Sequence, residues 1–223
     1  DRRQRQMCIR DRCTIDSICA FQRSYNSQTD TTRQTHHHDG PAFFVYRKRR
    51  KNMKKIAKFE KVSFEQFKKD WHGEHPQDTE EVIREIYDGI RLPKRATAGS
   101  AGYDFFAPAA FTLKPGQMTK ILTGIRARID DGWVLKLYPR SGLGFKFRLQ
   151  LTNTVGIIDS DYYGSDNEGH IQVKLTNDSR EGKTVEVEAG TGFSQGIFVE
   201  YGITVDDEAD EVRNGGFGST TRA

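Results

Sequence analysis

Residues 114–138 read KPGQMTKILTGIRARIDDGWVLKLY, and this stretch decides the fold class. Two turn signals, Lys114-Pro-Gly116 and Asp130-Asp-Gly132, bound runs rich in β-branched and aromatic residues at 118–129 and 133–138. Runs of that composition between Gly and Pro turns are typical of strands. The stretch therefore predicts consecutive strands of an all-β domain.

The same pattern continues on both sides of this stretch. Further strands are predicted at 103–107, 149–158, 171–175, 184–187 and 193–203. Strands that recur about every ten residues indicate a sandwich, a barrel or a jelly roll. The sequence has no G-x-x-x-x-G-K-[ST] and no strand-linked G-x-G-x-x-G, which argues against a P-loop or Rossmann enzyme.

Residues 53–91 predict two short helices that form an accessory hairpin before the strands. Ser63-Phe-Glu-Gln66 is a capping box, and the helix that it opens is expected to end at His72-Gly73. Asp78-Thr-Glu-Glu81 caps the second helix, and Gly89 stops it. Its apolar face is expected to contain Val82, Ile83, Ile86 and Tyr87.

Residues 1–52 differ in composition from the rest of the chain. They carry a net charge of +7 and all three cysteines, whereas the remainder carries −3. They show no helical or strand periodicity, so we expect a disordered or non-native extension. Residues 1–12 also resemble the translation of a sequencing adapter, which predicts that they are not native. The triplet His36, His37 and His38 lacks further spaced ligands and does not predict a metal site.

The distribution of charge and of apolar residues limits the function classes. The basic excess belongs to residues 1–52 alone, so the chain as a whole is not expected to bind nucleic acid. No run reaches the roughly 18 apolar residues of a membrane-spanning helix, and no secretory apolar region is present. We therefore expect a cytoplasmic protein that does not engage a membrane.

Five polar clusters lie where predicted strands end. In chain order they are Ala101-Gly-Tyr-Asp104, Pro139-Arg-Ser-Gly-Leu-Gly144, Asn153-Thr-Val-Gly-Ile-Ile-Asp-Ser-Asp-Tyr162, Gly192-Phe-Ser-Gln-Gly196 and Arg213-Asn-Gly-Gly-Phe-Gly-Ser-Thr220. Pro and Gly in the second cluster predict a loop whose backbone N–H groups, with Ser141 and Arg140, present donors to an anion. Each cluster alone is also typical of an ordinary turn or a frayed end.

In this order the five clusters resemble the five motifs of the homotrimeric dUTP diphosphatases (dUTPases). The resemblance covers residues 92–220 and implies a dUTPase-type jelly roll over 92–212, with 213–223 as a flexible lid. It also implies a homotrimer with active sites shared between subunits. The implied reaction is Mg²⁺-dependent hydrolysis of dUTP to dUMP and diphosphate, by attack of water on the α-phosphorus. Such an enzyme limits uracil incorporation into DNA and supplies dUMP for thymidylate synthesis.

The resemblance also implies a role for each motif residue. Asp159 would be the base that deprotonates water, which suits a carboxylate within hydrogen-bond reach of that water. Tyr162 would lie against the deoxyribose and exclude a 2′-hydroxyl, while Asn153 and backbone near Gly156 would pair with uracil. The triphosphate would be bound by a set of donors, and Mg²⁺ would be held by Asp104 through a water. The donor set comprises Arg140, Ser141, Gly142, Gln195, Arg213, Gly218, Ser219 and Thr220, and Phe217 would close over the uracil ring.

Two departures from the family pattern leave questions open. Arg213 and Phe217 are one residue closer in sequence than is usual, and residues 165–170 are an insertion after the third motif. A dCTP deaminase is the nearest alternative enzyme, but that family has a catalytic glutamate where this chain has Lys174. A dUTPase fold acting as a regulatory binding protein is the alternative from another class, and a protein partner therefore remains open.

Overall fold

The computed structural model describes residues 53–211 together with Arg213 and Gly215. The predictions for residues 1–52 and for Phe217, Gly218, Ser219 and Thr220 lie outside these residues. None of the helices described between 53 and 211 is long and apolar enough to cross a membrane.

Twelve strands and three α-helices make up the described part of the chain. In chain order they are β1 (Ala57–Lys61), α1 (Phe64–Glu74), α2 (Glu80–Asp88), β2 (Lys94–Arg95), β3 (Tyr103–Phe106), β4 (Phe111–Leu113), β5 (Met118–Leu122), β6 (Ile125–Ile129), β7 (Trp133–Pro139), α3 (Ser141–Phe147), β8 (Leu149–Leu151), β9 (Gly156–Ile158), β10 (Gln172–Asn177), β11 (Val185–Val187) and β12 (Gly192–Glu200). A short 3₁₀ helix, Ser160–Gly164, follows β9. The prediction of a mainly β fold with a short helical segment is confirmed.

The largest sheet positions most of the motif residues. Its strand order is β2-β3-β12-β7-β9, and the other strands pair as β5-β10-β8, β11-β4 and β1-β6. All of the pairings in these sheets are antiparallel. Strand β7 lies between β12 and β9, so it connects the fourth motif on one side to the third motif on the other.

The 53–91 segment shares its core with the strands. Phe67 in α1 and Ile83 in α2 are fully buried in the same apolar cluster as Ile125 of β6. Strand β1 was not predicted, and its residue Phe59 packs edge-on against Phe105 with 5.6 Å between ring centroids. The segment therefore contributes a strand and buried side chains to the main core.

Several predicted boundaries were wrong, each for a local reason. Helix α1 continues to Glu74 because the N–H of His75 still bonds to the carbonyl of Trp71. Val82 is 43% exposed and does not belong to the buried face of α2. The predicted strand at 149–158 is divided by a turn at 152–155, where Thr154 has a φ of 69°.

The predicted strand at 118–129 is also divided, at Gly124. Its φ of +67° lies in the left-handed region that favours glycine, and a Cβ there would come within 2.3 Å of the Cδ1 of Ile90. The N–H of Gly124 donates to Nε2 of His170 (2.8 Å), and its carbonyl accepts from the N–H of Val62 (3.0 Å). Gly124 therefore joins β5 and β6 to the helical segment and to the insertion.

Candidate active site

The third motif forms the wall of a cavity of about 550 Å³. Its lining includes Asn153, Gly156, Ile158, Tyr162, Lys174 and Arg213. Gly156 belongs to β9, and a Cβ there would lie 3.0 Å from the Cβ of Leu137, so a larger residue would require β9 or Leu137 to shift. The turn before it holds Thr154 at positive φ, which is strained for a β-branched residue. Strain of this kind concentrates at functional sites.

Tyr162 is the most buried side chain of the third motif. It is 7% exposed, and its hydroxyl donates to the carbonyl of His170 (2.9 Å) while accepting from Nδ2 of Asn167 (2.8 Å). Burial raises the pKa of Tyr162 above its ordinary value, and the hydrogen bond from Asn167 offsets only part of that rise. The hydroxyl is therefore neutral near pH 7 and can donate and accept together.

Asp159 and Asp161 stand on either side of Ser160, at the start of the 3₁₀ helix. The guanidinium of Arg213 bridges them: Nη2 lies 2.7 Å from Oδ2 of Asp159, and Nε lies 2.9 Å from Oδ1 of Asp161. The side chain of Asp159 is 45% exposed, so water reaches it. Asp159 precedes the 3₁₀ helix but makes no side-chain capping bond to it, which leaves its carboxylate for other partners.

The first, second and fourth motifs meet at the other end of β7. Gln195 lies opposite Asp104 of β3 and Tyr138 of β7. Nε of Arg140 lies 3.3 Å from Oδ1 of Asp104, and its Nη1 lies 3.3 Å from the carbonyl oxygen of Gly192. A cation, an amide and a carboxylate are therefore gathered beside the exposed start of α3.

Helix α3 corrects the prediction of a loop in the second motif. Ser141 and Gly142 form its exposed first turn, after Arg140 at the N-cap position. The first N–H groups of a helix have no partner within it, so they are available to an anion. The donors expected of this motif therefore lie at the start of a helix and not in a loop.

The two groups of motif residues lie far apart within one chain. Ile158 of β9 pairs with Leu135, so the next residue, Asp159, lies beside the first residues of β7. Arg140 comes directly after Pro139, the last residue of β7, which pairs with Ser194. The two side chains therefore belong to opposite ends of this strand. At about 3.3 Å per residue, their backbone positions are separated by roughly 20 Å. Arg213, expected with the phosphate donors, lies instead with Asp159.

The expected metal ligand is a single carboxylate. Among residues 53–211, Arg213 and Gly215, no three His, Cys, Asp or Glu side chains are grouped as a metal site. Mg²⁺ is commonly bound by one or two carboxylates together with waters and substrate phosphates. Asp104 beside Arg140 fits a metal bound mainly by a triphosphate, and it does not form a closed protein cage.

The residues behind the cavity wall were not predicted from the sequence. His170 is fully buried, and its Nδ1 lies 2.5 Å from Oδ2 of Asp70 in α1. Glu168 accepts from the N–H and from the hydroxyl of Ser63, at 2.7 and 2.6 Å. No local pattern predicts these contacts, because about 100 residues separate the partners in sequence. They attach the 165–170 insertion to the start and middle of α1.

The chain is similar to known dUTPases in sequence and in fold. Residues 88–221 match the family model described as dUTPase. The deoxyuridine 5′-triphosphate nucleotidohydrolase of Lactococcus lactis subsp. lactis is 43% identical over 135 residues, which are 59% of this chain and 89% of that protein. The crystal structure of the dUTPase from Streptococcus mutans is 33% identical, with a TM-score of 0.49, over 67% of this chain and 98% of that one. A structure of the Staphylococcus bacteriophage 80alpha dUTPase, 18% identical, shows the same fold with a TM-score of 0.50 over 72% of this chain and 100% of that one.

Proposed function

Because the chain belongs to the dUTPase family and hydrolyses dUTP to dUMP and diphosphate, we propose that Asp159 activates the attacking water. Asn153 and Tyr162 line one cavity, and Arg213 in its wall contacts Asp159, which is the observation that supports this role best. A carboxylate that is 45% exposed and contacted at Oδ2 can accept a proton from water at its other oxygen. The water oxygen then bonds to the α-phosphorus, the bond from that phosphorus to the bridging oxygen breaks, and diphosphate leaves.

The cavity is proposed to bind the nucleoside. Asn153 and the backbone at Gly156 would pair with the uracil edge, and the Tyr162 ring would occupy the volume that a 2′-hydroxyl needs. A site whose polar groups match one base leaves them unpaired with another, which can discriminate by about 10⁴ or more. The position of the deaminase glutamate holds Lys174, which lines this cavity, and a lysine there does not support deamination.

The opposite end of β7 is proposed to bind the triphosphate. Arg140, Gln195 and the first turn of α3 would donate to phosphate oxygens, and Asp104 would hold Mg²⁺ through one of its waters. When bound, the metal ion neutralises charge on those oxygens. Phe217, Gly218, Ser219 and Thr220 remain predicted contributors from the lid.

Diphosphate release from dUTP, UTP, dCTP and dTTP tests the nucleoside assignment directly. We expect release from dUTP and nearly none from the other three nucleotides, with the activity lost on chelation and restored by Mg²⁺. Comparable turnover of dCTP would contradict the proposed roles of Asn153 and Gly156. Comparable turnover of UTP would contradict the role of Tyr162.

We further propose a homotrimer in which each active site uses more than one chain. Asp159 and Arg140 must both approach one triphosphate, yet roughly 20 Å of β7 separates them within a chain. A second chain that brings its Arg140 to the Asp159 of the first removes this separation. The distance along β7 is the feature that supports shared sites.

Subunit mixing tests this proposal. Asp159→Asn and Arg140→Ala would each be inactive alone, whereas mixed assemblies would contain sites that draw the two intact residues from different chains. We expect part of the activity to return after exchange, and the same mixture kept from exchanging serves as the control. No return of activity, with exchange demonstrated by native mass spectrometry, would place both residues in a single-chain site.

A further inference from the structure

The 165–170 insertion encloses Tyr162 on its backbone side and at its hydroxyl. The carbonyl of Tyr162 accepts from the hydroxyl (2.7 Å) and from the N–H (3.1 Å) of Ser165. A Cβ on Gly169 would lie 2.7 Å from that same carbonyl oxygen, so the insertion turns back against the Tyr162 backbone. The φ of Gly169 is +70°, which permits this return.

The N–H of Gly169 fixes the orientation of the Asn167 amide, because it donates to Oδ1 at 3.2 Å. Oγ of Ser165 lies 2.9 Å from the same Oδ1, but its single proton is shared with the carbonyl of Tyr162. Nδ2 must therefore face the Tyr162 hydroxyl, to which it donates at 2.8 Å. That hydroxyl has its own proton committed to the carbonyl of His170. Both hydrogen-bond partners of the Tyr162 hydroxyl therefore belong to the insertion.

Helix α1 holds the far side of the insertion. Nε2 of His170 accepts from the N–H of Gly124, so Nδ1 carries the proton that is donated to Asp70. Asp70 also accepts from Nε2 of Gln66 at 2.9 Å. A continuous chain of contacts therefore runs from Asp70 through His170 to the Tyr162 hydroxyl.

We propose that the insertion, held by Asp70 of α1, fixes the Tyr162 ring and so sets the selectivity of the enzyme for deoxyribonucleotides. Asn167 and His170 are positioning residues, since they act through Tyr162. The proposal rests on the assigned role of Tyr162 against the sugar. The Tyr162 ring can exclude the 2′-hydroxyl of a ribonucleotide only if the ring cannot move to make room for it. A ring that is held at its hydroxyl as well as at its backbone cannot move in this way.

The hydroxyl contacts can be removed without removing the ring. Asn167→Asp keeps the oxygen that accepts from the N–H of Gly169 but replaces the Nδ2 donor with a second carboxylate oxygen. The Tyr162 hydroxyl must then either give up its bond to the carbonyl of His170 or face an acceptor with no proton between them. Tyr162→Phe removes both hydroxyl contacts and adds no charge. For each variant we expect the ratio of kcat/KM for dUTP to that for UTP to fall roughly five- to tenfold, the effect of one or two hydrogen bonds.

The double variant separates positioning from a general loss of stability. If Asn167 acts through the Tyr162 hydroxyl, Asn167→Asp changes the ratio no further in the Tyr162→Phe background. The ratio is insensitive to the fraction of folded enzyme, because both substrates are measured on one preparation. A further fall in the double variant would contradict the pathway through the hydroxyl, and Tyr162→Phe still tests the proposal if Asn167→Asp does not fold.

Two carboxylates in the 53–91 segment test whether the contact of Asp70 with His170 contributes to sugar selectivity, with Asp78 as the control. Asp70 accepts from the ring N–H of His170, and Asp78 accepts from Nε1 of Trp71 at 2.8 Å. Asp70→Asn is expected to lower the melting temperature and to lower the dUTP:UTP ratio about threefold. Asp78→Asn is expected to lower the melting temperature alone. Equal ratios in the two variants would overturn the role of α1.

The Tyr162→Ala variant separates the role of the Tyr162 ring against the sugar from the role of the insertion in holding that ring. If Tyr162→Ala lowers the ratio but Tyr162→Phe and Asn167→Asp leave it within about twofold of the native value, the ring discriminates without the insertion, and this inference fails. If Tyr162→Ala also leaves the ratio unchanged, the proposed role of Tyr162 against the sugar is what fails.

Discussion

The two ends of β7 hold their side chains in different ways. At one end Tyr162 is 7% exposed and bonded through both its hydroxyl and its carbonyl. At the other end the Arg140 side chain is 43% exposed, and it is held by an ion pair with Asp104 and one carbonyl contact, both at 3.3 Å. The end proposed to bind the nucleoside is therefore held by burial and hydrogen bonds, and the end proposed to bind the phosphates is held by an ion pair and a single carbonyl contact.

This difference matches the two recognition tasks proposed for them. Excluding a single hydroxyl requires a wall defined to within the size of an atom, so movement of Tyr162 directly weakens selectivity. Attraction between a guanidinium and a phosphate changes slowly with distance, so Arg140 can adjust as the ligand arrives. Substitutions at the two ends should therefore affect different kinetic constants.

The largest effect is expected from Asp159→Asn. The amide keeps the shape of the side chain but cannot take the proton from water, so kcat should fall by about 10² or more while nucleotide still binds. Asp161→Asn is the matched control, since it removes the other carboxylate that contacts Arg213. Turnover should fall less than about fivefold in the control. Equal losses would assign the effect to the placement of Arg213.

Tyr162→Ala should produce the next largest effect, confined to substrate choice. Opening the volume beside the sugar should lower the kcat/KM ratio of dUTP to UTP by about tenfold or more. The ratio of dUTP to dCTP depends on the base and should change far less. A parallel loss in both ratios would show that the cavity wall had collapsed.

Arg140→Lys should have a smaller effect, on KM. The charge remains but the planar fork is lost, so KM for dUTP should rise roughly five- to tenfold with little change in the dUTP:UTP ratio. Arg148→Lys is the control at the other end of α3, because Arg148 is also exposed and pairs with Asp178 at 2.8 Å. A change in sugar selectivity from Arg140→Lys would erase the distinction between the two ends of β7.

The smallest of these effects is expected from acid, acting on the contact between Asp70 and His170 behind Tyr162. Burial alone would raise the pKa of Asp70, but hydrogen bonds from His170 and Gln66 outweigh it and hold the pKa below the ordinary value of 3.8. Ionised Asp70 therefore stabilises the fold above that value, and the contribution is lost as the pH falls below 3.8 toward the folded-state pKa.

Thermal melts measure this contribution. The native chain should melt a few degrees above Asp70→Asn near neutral pH, and the difference should shrink at about pH 3. Asp78→Asn provides the comparison for a carboxylate of the same segment outside the His170 contact. A difference that stays constant with pH would show that the ionisation of Asp70 does not stabilise the fold.

Local sequence predicted most of the strands, and also the proposed nucleoside wall, because their residues are neighbours along the chain. Asn153, Gly156 and Tyr162 fall within ten residues, so any fold of that motif keeps them close. Helix α3 was missed because Gly142 and Gly144 are poor helix formers and typical of loops. Strand β1, AKFEK, was missed because it lacks β-branched residues and gains its stability from pairing with β6.

The contacts behind Tyr162 could not be predicted from local pattern at all. Asp70 has the sequence environment of an ordinary exposed helix residue, and His170 that of a loop residue before a strand. Their contact depends on how α1 packs against β5, which tertiary structure alone decides. The separation of Asp159 from Arg140 along β7 likewise follows from strand register.

Gly124 limits the order in which substitutions can accumulate in this chain during evolution. A methyl group there would collide with Ile90 at 2.3 Å and press on Phe67 at 3.3 Å, while the backbone would still have to hold a φ of +67°. Because the positive φ belongs to residue 124 itself, a smaller residue at position 90 does not by itself make another residue tolerable at position 124. We expect lineages to lose Gly124 only after Ile90 has become smaller and the bend has relaxed. The order in which mutations occur then decides which descendants of this sequence are reachable.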